Sequence, residues 1–437
     1  MNLNDICNVM QELGAETLYF KCLAENDNSK NQIYMGGNFA VINIFPFQDD
    51  VADTTTRKHT IKAKINLHWI DPETRQTEQA KGSQLILYPQ YPEVRLSGFL
   101  KGCLLAPSAY MQPIAPDQRK NNKRADGRIL FFGICADGCV LSWLAHAGSD
   151  VANECFQRIT EFEQTGVFYQ VPLITGQVDT RTSLMARLTE IHQQGWHTSR
   201  RLDKDGNVIP YKAANGGGYT LEALFNIIPN GRSEPDFEGW ELKAYSGSVL
   251  TLMTPEPTGG FYGKQRAAEF LRKYGVPKQN DSTVLYFTGT HYAGKRHQKT
   301  EMTLTLTGFH ASKGTFDVTG GIELIDRDGE VAAAWDYASL IKHWNKKHQQ
   351  TAYIPYVKRE MNGGVEYQYG SPVTLGINTD FSRFLLAVNA GFIYYDPAPK
   401  LTGIDTDKPK VKARSQFRIK FKDLIVLYMS LEKLDIK

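Results

Sequence analysis

The sequence predicts a two-part fold, in which a mostly β N-terminal part precedes a larger α/β part. All six cysteines of the 437-residue chain lie before residue 156, so the composition changes along its length. Short segments rich in β-branched and aromatic residues, such as ETLYFKCL and RILFFGI, follow one another between polar turns in the first part. Helical and strand patterns are mixed in the second part. We therefore expect two domains, 1–165 and 166–437.

Composition excludes several classes of protein. Lysine and arginine total 50 against 47 acidic residues, which gives a formal charge of +3. The chain is therefore not a strongly basic protein overall. Any surface that binds nucleic acid must come from local clustering of basic residues. No apolar run approaches the roughly 18 residues that cross a bilayer. No signal peptide is visible, and the cysteines lack metal-ligand spacing. These observations predict a cytoplasmic protein with reduced thiols and no membrane partner.

Two helices are expected early in the second part. In TRTSLMARLTEIHQQG, Leu184, Leu188 and Ile191 recur at helical spacing. In TLEALFNII the same spacing returns, with Thr220 as the expected N-cap and Pro229 ending the run.

The segment EPDFEGWELK, residues 234–243, contains the candidate catalytic residues. Glu238-Gly239 is expected to turn the chain, which would bring Asp236 beside the strand that follows. Side chains alternate along a strand, so Glu241 and Lys243 would share one face, about 6.6 Å apart. The pattern gathers two carboxylates and an ammonium in a small volume. Its other interpretation is a solvated Glu-x-Lys pair beside a turn acid.

Two acids and a lysine suit metal-dependent phosphodiester hydrolysis. Magnesium prefers carboxylate oxygens, and a bound metal lowers the pKa of its water. A lysine would add a cation where negative charge builds in the transition state.

Residues 215–246 resemble the MvaI/BcnI restriction endonuclease family, which is related to the MutH mismatch-repair nickase. The residues in register with the family pattern are Gly218, Tyr219, Thr220, Leu221, Glu222, Ile227, Asn230, Pro235, Asp236, Gly239, Glu241, Leu242 and Lys243. LTEIHQQGWHTSRR and FLLAVNAGFIYYDP extend the resemblance to roughly residues 180–430. It implies an α/β restriction-endonuclease-like fold of the PD-(D/E)xK type.

The resemblance also implies residue roles. Asp236 and Glu241 would be ligands of Mg²⁺, Lys243 would act at the water or the phosphate, and Glu222 would be a further acid of the catalytic site. The other interpretation of Glu222 is an acid in the first turn of its helix, where the helix dipole favours it.

A basic segment, residues 408–422, is the first candidate DNA contact. Its seven basic residues all occupy even positions, which in an extended strand form one face. Such a face would neutralise phosphates, unless it is an ordinary solvated surface. Candidate contacts are Lys412, Arg414 and Arg418, where arginine can grip guanine. Asp396 would accept from cytosine or cap a turn.

The N-terminal part resembles, more weakly, the EcoRII-like effector DNA-binding domains, which are barrel-like. KCLAENDNSKNQIY and SQLILYPQYPEVRLSGF carry this resemblance and assign Arg95 and Lys101 to DNA. A basic cluster adds candidates that a solvated loop would explain equally well: Arg119, Lys120, Lys123 and Arg124.

Together these expectations describe a type II, type IIE-like restriction endonuclease. It would cut double-stranded DNA with Mg²⁺ at a short site, with CC/WGG carried over from the resemblance. It would act as a monomer, and its N-terminal domain would bind a second copy of the site. The alternatives are a MutH-like repair nickase, or a non-catalytic DNA-binding regulator on a nuclease fold.

Overall fold

The structure is a computed structural model. It describes residues 1–24, 32–37, 39–47, 50–53, 59–91, 93–111, 126–173, 180–229, 235–361 and 363–436. The chain divides into two compact units, Met1–Gln177 and Val178–Lys437. None of the described helices is long and apolar enough to span a bilayer.

The first unit is mostly β, as the sequence predicts. Its helices are α1 (Leu3–Glu12), α2 (Ser108–Met111) and α3 (Asp150–Gln157), with 3₁₀ turns at Phe39–Asn43 and Ile159–Glu161. Its strands are β1 (Ala15–Leu23), β2 (Gln32–Gly36), β3 (Asp50–Asp53), β4 (Thr60–Lys64), β5 (Asn66–Ile70), β6 (Thr77–Gln79), β7 (Gln84–Tyr88), β8 (Glu93–Ser97), β9 (Arg128–Cys135), β10 (Cys139–Ala145), β11 (Glu163–Thr165) and β12 (Phe168–Val171).

These strands form two sheets. Seven strands are ordered β11-β12-β1-β9-β10-β5-β6, and five are ordered β2-β8-β7-β4-β3. Within the described residues both sheets are open, so the strands do not close into a barrel, and the barrel-like arrangement stays a prediction. β12 pairs with β1, which places it in the first unit. The division consequently falls after Gln177, later than the boundary at residue 165 that the sequence suggested.

Helix α1 packs against the hydrophobic core of the first unit. Asn2 and Asp5 form a reciprocal capping box, which satisfies backbone donors that a helix start leaves open. Leu3, Ile6 and Met10 recur at helical spacing and are buried. Their burial against β1 makes the helix part of the unit's hydrophobic core.

The second unit mixes helices and strands. Its helices are α4 (Thr180–Gln193), α5 (Gly216–Leu224), α6 (Gly260–Tyr274), α7 (Tyr337–His348) and α8 (Phe381–Asn389), with a 3₁₀ helix at Phe421–Val426. Its strands are β13 (His197–Thr198), β14 (Arg200–Leu202), β15 (Val208–Pro210), β16 (Glu241–Tyr245), β17 (Val249–Met253), β18 (Val276–Lys278), β19 (Asp281–Tyr286), β20 (Thr303–His310), β21 (Thr315–Ile325), β22 (Val331–Asp336), β23 (Gln350–Met361), β24 (Gly364–Tyr369), β25 (Val373–Ile377), β26 (Ile393–Tyr395), β27 (Lys400–Thr402), β28 (Lys410–Lys412), β29 (Phe417–Lys420) and β30 (Ser430–Leu434).

A mixed six-stranded sheet organises this unit. Its strands are ordered β13-β24-β23-β25-β30, and β16 pairs in parallel with β23. The register sets Glu241 opposite Thr351 and Lys243 opposite Tyr353. Smaller sheets surround it, among them β17-β29-β26 and β18-β19-β27-β28.

Helices α4 and α5 cover this sheet. The sequence prediction of α4 is confirmed, because Leu184, Leu188 and Ile191 are fully buried at the expected spacing. They pack with Leu221 of α5 and Leu242 of β16 in one core. The strand that carries Glu241 and Lys243 is therefore fixed from behind by two helices.

A buried histidine predicts acid sensitivity of the second unit. The backbone of His291 is bonded in both directions to Tyr395, and its Nε2 lies 2.9 Å from Thr300 Oγ1. Burial, and then the neighbouring His297, lower the pKa of His291 from 6.5 to about 4. Between these values the unfolded chain binds the proton and the folded chain does not. The free energy of unfolding should therefore fall by up to about 3 kcal/mol as the pH falls through this window.

Replacing His291 with glutamine should flatten that dependence, measured by urea unfolding at pH values from 6.5 down to about 4. His310→Gln is the matched control, because His310 is exposed. Equal slopes for wild type and His291→Gln would contradict the assignment.

Candidate active site

A tight turn brings Asp236 back to the strand that follows it. Glu238 and Gly239 have φ values of 45° and 86°, which a two-residue hairpin turn requires. Phe237 and Trp240 exchange both backbone hydrogen bonds across this turn. The backbone N–H of Leu242 donates to Asp236 Oδ2 at 2.9 Å. The turn predicted from the sequence is present and holds Asp236 against β16.

Glu241 and Lys243 share one face of β16, as strand alternation predicts. Lys243 Nζ donates to Glu241 Oε1 at 2.8 Å, and the two side chains are 17% and 5% exposed. Burial disfavours the charged amine, but Glu241 and then Asp236 outweigh it and raise the pKa of Lys243 above its ordinary 10.5. Lys243 is therefore a cation at neutral pH, suited to stabilising negative charge rather than to acting as a base.

Glu222 occupies the last turn of α5, which corrects the sequence prediction. The helix starts at Gly216, not after an N-cap at Thr220, and Asn215 is its N-cap. Thr220 lies inside it and bonds to the backbone of Arg200. A helix dipole disfavours an acid in the last turn, so the interpretation of Glu222 as a first-turn acid favoured by the dipole is wrong.

The early start of α5 depends on close packing against β23 and β24. A Cβ on Gly217 would lie 2.5 Å from the ring of Tyr356, and one on Gly216 would lie 2.5 Å from Tyr367 Oη. Only glycine permits that approach. The sequence alone did not predict the early start of α5, because Tyr356 and Tyr367 lie more than a hundred residues further along the chain.

Gly217→Ala should therefore destabilise the protein by about 1–3 kcal/mol, the usual cost of overpacking. Gly218→Ala is the matched control, since a Cβ there meets nothing within 4 Å. The control should stabilise the helix by about 0.5–1 kcal/mol, because alanine loses less backbone entropy than glycine. Chemical denaturation of both variants measures the difference, and equal effects would refute this account of α5 packing.

Two of the three motif residues line a cleft of about 820 Å³, and the third, Glu241, is buried beside it and paired with Lys243. The lining of the cleft includes Tyr219, Glu222, Asp236, Lys243 and Arg418. The sequence indicated four of these five residues. Tyr219 was known only as part of the family pattern.

The basic segment is not one continuous face. β28 pairs with β27, whereas β29 pairs with β17 and β26 in another sheet. The chain crosses between them through Ser415 and Gln416, which are buried and break the alternation. Arg418 is only partly exposed, and its Nη1 forms an ion pair with Asp396 Oδ2 at 2.6 Å. The structure thus joins two predicted DNA contacts to each other beside the cleft.

The other predicted DNA contacts are scattered. Lys412 and Arg414 are exposed. In the first unit, Lys101 is exposed in a turn, and Arg95 pairs with Glu93 at 2.8 Å. The remaining four candidates lie outside the described residues: Arg119, Lys120, Lys123 and Arg124.

The donor set fits a hard divalent cation. Within the described parts of the chain, no three His, Cys, Asp or Glu side chains form a metal-holding group. Magnesium, however, usually takes one or two carboxylates from a protein and completes its shell with water and substrate phosphate. Asp236 and Glu241 supply that number. The described cleft wall contains carboxylate and hydroxyl groups and neither histidine nor cysteine.

A mixed sheet whose strand β16 carries Glu241 and Lys243, with Asp236 held beside it at a cleft, is typical of the catalytic unit of a site-specific DNA endonuclease of the restriction-endonuclease-like fold. Comparison of the sequence with known protein families gives a match in this part of the chain. The chain belongs to the MvaI/BcnI restriction endonuclease family, which matches residues 185–428.

Two solved structures are similar to this chain. One is the complex of restriction endonuclease MvaI with its cognate DNA substrate, at 19% identity over 59% of this chain and 99% of that one, with a TM-score of 0.45. The other is MvaI in the absence of DNA, at 15% identity over 60% of this chain and 100% of that one, with a TM-score of 0.33. No curated protein matches the chain.

Proposed function

We propose that this endonuclease hydrolyses double-stranded DNA at a short specific site with Mg²⁺ held by Asp236 and Glu241. The observation that carries the proposal is the meeting of these acids with Lys243. A backbone hydrogen bond of 2.9 Å holds Asp236 against β16, an ion pair of 2.8 Å joins Glu241 to Lys243, and Asp236 and Lys243 line the cleft.

Each residue has a distinct part in the proposed reaction. When bound, Mg²⁺ supplies an acidic water and offsets the charge of the phosphoryl group. Lys243 places its ammonium where charge builds on the scissile phosphate. Glu241 holds that ammonium in position, and the Leu242 N–H orients Asp236. We assign to Glu222, which lines the same cleft, the orientation of the attacking water.

The proposed role of the N-terminal unit is to bind DNA. A separate compact unit of Met1–Gln177 supports a type IIE-like enzyme that binds a second copy of its site, with CC/WGG as the proposed target. A plasmid with one site should be cut slowly, and a short duplex carrying the site should accelerate it. No acceleration by that duplex would remove the second-site role while leaving the nuclease assignment intact.

The function is tested by digesting a sequenced supercoiled plasmid with Mg²⁺ and sequencing the ends by run-off. Linear product with uniform ends is expected. Persistent nicked circles would instead favour a MutH-like nickase. No Mg²⁺-dependent cutting of diverse DNA would favour a non-catalytic DNA-binding regulator.

A further inference from the structure

A second cavity of about 670 Å³ adjoins the active-site cleft. Both are lined by Tyr245, Ser246, Gly247 and Tyr356, so the turn after β16 separates one from the other. The catalytic strand therefore leads from Lys243 directly to this second space.

The wall of the second cavity is basic. Lys420 and Lys422 line it, both are exposed, and no acidic residue belongs to its described lining. Ser246 and Ser248 contribute exposed hydroxyl groups. Lysine and serine are common partners of DNA phosphates.

The backbone that carries the two lysines is bonded to the turn. Val249 pairs with Lys420, and the Phe421 N–H donates to Ser248 O at 2.8 Å. The rings of Tyr245 and Phe421 stack with centroids 4.5 Å apart. Backbone pairing and ring stacking thus fix Lys420 and Lys422 relative to the catalytic strand.

Lys420 also follows the cleft residue Arg418 along one strand. Arg418 and Lys420 lie two residues apart on β29, where Phe417 and Ile419 are buried, so both point away from the core. Two strand residues span about 6.6 Å, close to the axial rise of two nucleotides in one DNA strand.

We propose that the second cavity is a DNA phosphate-binding site, in which Lys420 and Lys422 hold the backbone of the cut strand one or two nucleotides from the scissile phosphate. This inference rests on the proposed function and adds a positioning site to it.

The test is binding of the full-length protein, without Mg²⁺, to a duplex that carries the cleavage site. The Lys420→Gln/Lys422→Gln variant should lower the salt slope of log K by about 1.8, or about 0.9 per phosphate contact. Between about 50 mM and about 200 mM salt its affinity should then fall about tenfold less than that of the wild type. Lys313→Gln/Lys433→Gln is the control, because both lysines are exposed and outside the cavity.

A second measurement locates the contact. Single methylphosphonates, which are uncharged, replace successive phosphates around the mapped cut. The wild type should bind more weakly when one of the two phosphates beside the cut is neutral, and the double variant should be indifferent there. A slope equal to the control's, or wild-type binding indifferent to both positions, overturns the inference. The proposed function fails separately, if the wild type cuts no DNA with Mg²⁺.

Discussion

Asp236→Ala should lower the rate of DNA cleavage by about 1,000-fold or more, since it removes a proposed ligand of the Mg²⁺ that would stabilise charge in the reaction. Specific binding measured without Mg²⁺ should stay close to that of the wild type, because phosphate and base contacts come from other residues. Single-turnover cleavage and binding of the same duplex measure the two effects. Full cleavage by Asp236→Ala would refute the metal-ligand assignment.

Asp236 also has a structural contact, which a second variant separates from chemistry. Alanine removes the acceptor of the Leu242 N–H and should cost about 1 kcal/mol of stability. Asp236→Asn keeps an oxygen for that N–H but loses the charge that holds a cation. We expect Asp236→Asn to unfold like the wild type and to cleave as poorly as Asp236→Ala. Cleavage restored by asparagine would mean that the hydrogen bond, and not the charge, is what the reaction needs.

Lys243→Ala should reduce both cleavage and stability, because it removes the proposed catalytic cation and breaks the buried ion pair with Glu241. Removing one member of a buried pair costs about 3 kcal/mol or more. The pKa of Lys243 is raised above 10.5, so its contribution to stability is fully present at neutral pH and is lost only as the pH rises through the raised value. Urea unfolding near pH 8 and single-turnover cleavage of Lys243→Ala measure these losses.

A double variant distinguishes the two roles of Lys243. Glu241→Gln/Lys243→Met replaces the ion pair with uncharged groups of similar size and should recover most of the stability lost in Lys243→Ala. It should remain inactive, since neither the acid nor the cation is present. A double variant as unstable as Lys243→Ala would show that packing, and not an uncompensated charge, sets the loss.

The catalytic turn could be predicted because its determinants are local. Glu238-Gly239 specifies the hairpin, and strand alternation places Glu241 beside Lys243. The start of α5 could not be predicted, since it depends on Tyr356 and Tyr367, which only tertiary packing brings to Gly216 and Gly217.

The basic segment does not form the one continuous face that the sequence predicted, for a related reason, and its assignment to DNA stays a prediction. Its alternation is regular in the sequence, but the chain changes sheets at Ser415 and Gln416, and pairing partners decide where a strand stops. The ion pair of Arg418 with Asp396 was likewise invisible, although each residue was singled out alone.

The parallel pairing of β16 with β23 has a consequence for biogenesis. Glu241 finds its ladder partner at Thr351, roughly a hundred residues later, and closing so long a loop is slow. When the hairpin at Glu238-Gly239 has just left the ribosome, Asp236, Glu241 and Lys243 have been synthesised. The strand β23 that pairs with β16 has not. We therefore expect the proposed active site to assemble only after residue 351 has been synthesised and β23 has paired with β16.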